Sequence, residues 1–232
     1  MKTTGSEIRD HQRTSVTRMT FARTMRVRRW VAMSIAGLLV AGCSSFLGGS
    51  KTPTTIYAPA TRAQAPAEWP AVRWSLALGR SYGGRGTDGL RIAVRPTPNE
   101  LQVYKGAQWS RPPSEMLEEG ILQTLEDSGR IATVARQGSG IGADYRLLLD
   151  VRRFESDYAG NSVPSATIEV TAKLMHVKTQ QLAGSRTFLQ VQTAATTAVP
   201  DVVVAFEQAL ANANREIAGW TLATGEQHAR QR

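Results

Sequence analysis

Apolar and polar positions alternate with a period of two in several stretches of this chain and recur at three- and four-residue spacing in two others. The first pattern is that of half-buried strands, the second that of amphipathic helices. Residues 73–78 place Trp74, Leu76 and Leu78 on one face and predict a first strand, followed by a glycine-rich loop from Gly79 to Gly89. Leu90 to Val94, stopped by Pro96 and Pro98, predicts a second strand, and Glu100 to Lys105 a third. A helix is expected next: Pro112 and Pro113 suit its start, Ser114 and Glu115 its first turn, and Leu117, Ile121 and Leu125 make a stripe that Gly129 ends as a C-cap. Arg130 to Ala135 reads as a short strand, and Asp144 to Phe154 as a longer one with Tyr145, Leu147, Leu149 and Val151 on one face. Ala166, Ile168, Val170, Ala172 and Leu174 then alternate with Thr167, Glu169, Thr171 and Lys173, as in an antiparallel strand wet on one side. Lys178 to Gly184 turns the chain, and Ser185 to Gln192 returns as a hairpin partner.

The strongest helical signal opens at Pro200 and Asp201, with Val202, Phe206, Ala209, Leu210, Ala213, Ile217 and Trp220 in one stripe and Glu207, Asn214, Arg215 and Glu216 outside it. Two helices with one apolar stripe each, set among alternating strands, predict an α+β fold: a two-layer domain with a mostly antiparallel or mixed sheet and both helices on one face. Its bounds are expected at residues 69–222, with residues 223–232 as a mobile polar tail.

The front of the chain follows another pattern. Arg26, Arg28 and Arg29 precede an apolar run from Trp30 to Ala41, the order and length of a signal peptide and short of the about 20 residues a spanning helix needs. The run ends in Leu39-Val-Ala-Gly-Cys43, which resembles a bacterial lipobox. Cleavage is expected between Gly42 and Cys43, with the Cys43 thiol as the nucleophile that takes the lipid. Residues 1–42 are then a lipoprotein signal peptide, with Met25 as an alternative start. Residues 43–68, which hold Pro53, Pro59 and Pro66, read as a lipidated flexible tether. Ser44 after the cysteine implies, by the same resemblance, transfer to the outer membrane, facing the periplasm.

Charge changes the picture less than its total suggests. The net charge of +9 is concentrated at the front, where residues 1–42 hold eight basic and two acidic residues. The rest carries 20 basic against 17 acidic residues, too even a mixture to attract phosphates, which argues against nucleic-acid binding. A single cysteine excludes an intramolecular disulfide and a Cys-rich metal site. Gly138-Ser-Gly-Ile-Gly-Ala143, with Asp157 downstream, matches the spacing of a dinucleotide fingerprint, but a strand rather than a helix is expected to follow it, so it reads as a turn. His11, His176 and His228 show no ligand spacing, and Glu118 and Glu119 point about 100° apart on a helix, as solvated residues do. Neither a catalytic group, a metal nor a cofactor is expected. Trp69, Trp74 and Trp109 read as core residues or as the lining of a groove. The candidate contact surface is the glycine-rich loop with Arg80, Tyr82 and Arg85 beside Trp74, a segment expected to carry little of the fold.

The succession of a lipobox, Trp74-Ser-Leu-Ala-Leu, Gly89-Leu-Arg-Ile-Ala-Val, Trp109 with Pro112-Pro113-Ser-Glu-Met-Leu, Ser128-Gly-Arg-Ile-Ala-Thr-Val and Tyr145-Arg-Leu-Leu-Leu-Asp-Val, then a hairpin and a helix, resembles the ABC-type transport auxiliary lipoprotein family, roughly over residues 57 to 221. That family includes the paraquat-inducible protein C type and the auxiliary component beside MCE-domain lipid transporters. The resemblance implies a non-enzymatic accessory that works with an ABC permease and ATPase and an MCE-domain protein in moving lipids or other apolar solutes between membranes. The chain has no Walker motif of its own. An envelope assembly or stress lipoprotein that binds protein partners without a transporter stays open as the alternative, and so does self-association into a homo-oligomer.

Overall fold

The computed structural model describes residues 53–84 and 86–232, so Gly42, Cys43 and Arg85 lie outside the described residues. One mixed sheet holds β1 (Thr55–Tyr57), β2 (Leu76–Leu78), β3 (Tyr82–Gly83), β4 (Arg91–Arg95), β5 (Gln102–Trp109), β6 (Val134–Arg136), β7 (Tyr145–Asp157), β8 (Ser165–His176) and β9 (Gln181–Thr193). Helices α1 (Pro113–Ser128) and α2 (Val199–Arg230) complete the domain.

Strand β7 organises the sheet. Along one edge it pairs antiparallel with β8 from Tyr145↔His176 to Asp157↔Ser165. Its other edge is shared in succession by β2, β3 and β4, all parallel to it. From there β6 extends β2 in parallel, β5 joins β4 antiparallel and β1 joins β5 in parallel, while β9 closes the opposite side against β8. A bulge between Val151 and Arg153 takes up one extra residue, so Val151 and Phe154 both face the core although their spacing breaks strict alternation.

Both helices pack on one face of the sheet, α2 across β8 and β9 and alongside α1. Their stripes are those expected from the sequence: Leu117, Ile121 and Leu125 of α1 and Val202, Phe206, Leu210 and Ile217 of α2 are fully buried. Phe206 stacks on Phe154 with ring centroids 4.9 Å apart and meets the edge of Trp109 at 5.1 Å. Gly129 ends α1 with φ of 60°, a left-handed conformation that costs glycine nothing.

Three departures from the sequence reading bear on function. Residues 53–68 are not a free tether: Thr55–Tyr57 is a strand, and the chain beyond it is strapped across the helices. Thr61 O accepts from Asn214 Nδ2 at 2.6 Å, Ala63 N donates to Thr124 Oγ1 at 3.3 Å, and Arg62 pairs with Asp127. Asn214, expected on the wet side of α2, is fully buried for that reason. At the other end, residues 223–230 continue α2 instead of forming a tail, and Gly225 makes room for the Trp74 indole, whose Cε2 lies 2.9 Å from where a Cβ would stand.

Candidate functional site

The glycine-rich loop is built into the domain. Tyr82 and Gly83 form β3 against Asp150 and Val151, and Ser81 is buried. The chain then turns back on itself, Thr87 N and Asp88 N both donating to Gly84 O at 2.9 Å. Asp88 thereby reaches the start of α1, where Ser114 N donates to Oδ1 at 2.8 Å and Ser114 Oγ to Oδ2 at 2.9 Å. No side chain in the residues flanking the helix start caps α1. A carboxylate 26 positions upstream supplies the cap and complements the helix dipole. The expectation that this loop carries little of the fold is therefore corrected.

Around that helix start lies an open groove of about 650 Å³, lined by Arg80, Tyr82, Asp88, Arg111, Glu118 and Arg136 among others. Tyr82 stands 65% exposed. Arg136 Nε donates to Glu118 Oε1 at 3.2 Å and its Nη2 to Glu119 Oε2, so the two glutamates, read as solvated residues, share one arginine. Among the described residues no histidine lines the groove. Paired charges of both signs and an exposed phenol suit it to hydrogen bonding and ion pairing with another polypeptide.

Trp74, proposed from sequence beside Arg80 and Tyr82, is not in this groove. It is buried against Tyr145, ring centroids 4.8 Å apart, at the far end of the sheet. There the structure assembles a cluster that the sequence reading missed. The Tyr145 hydroxyl bonds His228 Nδ1 at 2.8 Å, and Arg232 Nη1 donates to His176 Nε2 at 2.6 Å, leaving Nδ1 to bond Thr179 Oγ1 at 2.9 Å. His176 and His228 lie 5.7 Å apart. Burial, then the charges of Arg232 and His228, hold the His176 imidazole below its ordinary pKa. Asp144 caps the region, accepting from Ser75 N and Oγ at 2.8 Å, and the Ser75 backbone bond is the main force holding its carboxyl low. The one hint was that Gly225 and His228 stand at helical spacing from Ile217, beyond the stripe that was read as ending at Trp220.

On the sheet face opposite α1 and α2, Glu155, fully buried, takes two bonds from Arg95 at 2.9 Å and one from Arg153 at 2.8 Å. Burial pushes its carboxyl up, but the two guanidiniums outweigh that and hold it below the usual range. All four groups of the network, Asp157 included, are paired, which is the condition for burying such charges at all. Among the described residues no group of three or more His, Cys, Asp or Glu side chains is placed to hold a metal ion. Gly138 and Gly140 lie in the loop before β7 with φ of 91° and 82°, and a strand, not a helix, follows them. The described residues contain no helix long and apolar enough to cross a membrane.

The crystal structure of a protein from Xanthomonas campestris is similar to this chain, with 49% sequence identity and a TM-score of 0.73 over 76% of this chain and 99% of that one. A second crystal structure, of an uncharacterized protein, shares the fold at 16% identity, with a TM-score of 0.55 over 72% of this chain and 97% of that one. No curated protein matches the sequence. The profile of the ABC-type transport auxiliary lipoprotein component family matches residues 55–218, from the first strand through most of α2. Since that match covers well over half of the sequence and nearly all of the folded domain, the chain belongs to the ABC-type transport auxiliary lipoprotein component family.

Proposed function

We propose that this protein is a non-enzymatic component of an ABC/MCE-type system that moves lipids or other apolar solutes between membranes. In this reading it is held by acylated Cys43 at the periplasmic face of the outer membrane, and it contacts an MCE-domain protein or the permease through the groove at the start of α1. The observation that carries the reading is the family match through the folded domain, residues 55–218. The groove supports it by its composition: an exposed tyrosine with Arg80 and Arg111 beside it is the kind of surface enriched in interface anchors. Arg85 belongs to the same loop by sequence. Trp74 serves the surface indirectly, by fixing the strand that leads into it.

Binding of a purified MCE-domain partner to the purified protein tests the assignment. Arg80→Glu and Tyr82→Ala are each expected to weaken binding about tenfold or more, as loss of an interface anchor does. Their thermal midpoints should stay at the wild-type value, because both side chains project from the fold. Undiminished binding by both variants would remove the groove from the proposal.

A further inference from the structure

The strap begins with Pro53 at one corner of the sheet. Thr55, Ile56 and Tyr57 run beside Ala107, Gln108 and Trp109, and Pro53 O lies 3.4 Å from where a Cβ on Gly106 would stand. The chain thus joins the domain next to Lys105, and only ten residue-to-residue steps lead from Cys43 to Pro53. Fully extended, they span at most about 36 Å. A surface holding acyl chains on Cys43 would lie within about that reach of Pro53.

Among the described residues no helix packs on the outer face of the sheet at this corner. Tyr57 and Tyr104 pack toward the core and Ile92 is fully buried in it, so their neighbours Ile56, Val103 and Arg91 project from the opposite side. Register sets Arg91 and Ile56 on either side of Gln108. Ile56 is 61% exposed, Leu101 43% and Val103 41%, and exposed Lys105 follows two positions after Val103. Neither Arg91 nor Lys105 forms an ion pair among the described residues. The nearby carboxylate of Glu100 is engaged by Thr97 and Gln102.

We propose that this corner, formed by β1, β5 and β4, rests on an anionic phospholipid surface, with Ile56, Leu101 and Val103 entering the headgroup layer and Arg91 and Lys105 meeting lipid phosphates. Aliphatic side chains flanked by cations are what an interfacial surface requires, and the short anchor keeps this corner within reach of the bilayer. The proposal rests on acylation of Cys43. The mature acylated protein is reconstituted in vesicles of phosphatidylethanolamine and phosphatidylglycerol, with an environment-sensitive fluorophore on a cysteine introduced by Ile56→Cys, Val103→Cys or, as reference on the outer side of α2, Glu216→Cys. Interfacial residues sit within about 10 Å of the acyl boundary, so bromine-bearing lipids should quench the first two probes about twofold more than the reference. Arg91→Glu with Lys105→Glu, or replacement of phosphatidylglycerol by phosphatidylcholine, should bring them down to it. Equal quenching of all three probes on vesicle-bound protein overturns the proposal while leaving the anchor intact. Protein that fails to sediment with the vesicles overturns the anchoring and the proposal with it.

Discussion

Phe206 shows how much of this fold is local information. Its place in a stripe at helical spacing marks it as core, and the structure buries it completely between Phe154 and Trp109. Phe206→Ala should lower stability by about 3 to 5 kcal/mol, the range for emptying an aromatic site, read from chemical denaturation of the non-acylated protein. A loss under 1 kcal/mol, on the order of a surface change, would contradict the packing described. His176 and Asn214 were not legible, because their partners lie far away in sequence: Arg232 is 56 residues from His176, and Thr61 is 153 from Asn214. The His176 pKa is depressed in the folded state, so its contribution to stability is full above the unfolded value near 6.5 and is lost as pH falls through the folded value. Stability should therefore decline below about pH 6.5, and His176→Gln should flatten that decline. Glu155 acts in the same direction at lower pH, its contribution lost as its own depressed pKa is passed, so the comparison is confined to the range above pH 5, roughly. An identical slope in the variant would exclude His176 as the cause.

Most elements could be read from periodicity, since a strand or helix with one wet face writes its period into the sequence. Both helix starts, the Gly129 cap and the alternation of β7 and β8 are of this kind. The strap was not, because residues 58–68 have no period, and their order comes from hydrogen bonds to helices more than 60 positions away in sequence. Polar composition likewise suggested a loose end after residue 222, whereas α2 propagates to Arg230 because Gly225 and His228 meet Trp74 and Tyr145. Gly120→Ala tests the strap. A methyl there would gain about 1 kcal/mol of helix propensity but would stand 2.6 Å from Thr61 O and against Asn214 Nδ2. Backbone and a buried amide cannot yield as a flexible side chain can, so the clash wins, with a net loss of about 1 to 3 kcal/mol and faster amide exchange in residues 59–63. A stabilised variant with unchanged exchange would show that the strap does not lie on α1.

At the scale of the whole molecule, the two-layer α+β architecture was legible and its connectivity was not. Nothing local tells that β2, β3 and β4 share one edge of β7, since parallel pairing between remote segments leaves no turn signature. Function was legible to a similar depth. The lipobox and the order of apolar motifs led to the family, while the groove depends on Asp88 reaching α1 from a loop that reads as free. If Cys43 carries the proposed acyl chains, Cys43→Ala should abolish labelling by a fatty-acid analogue and release the protein from membranes, because each buried methylene contributes about 0.8 kcal/mol to anchoring. Equal labelling of wild type and variant would place the lipid elsewhere or nowhere. The central claim, that the protein is an auxiliary part of a transporter, is tested most directly by purifying the affinity-tagged, acylated protein from detergent-solubilised membranes of its own cells and identifying what comes with it. Recovery of an MCE-domain protein with its ABC permease and ATPase, reduced by Arg80→Glu, is the expected result. Reproducible recovery of envelope assembly proteins with no transporter component would contradict it.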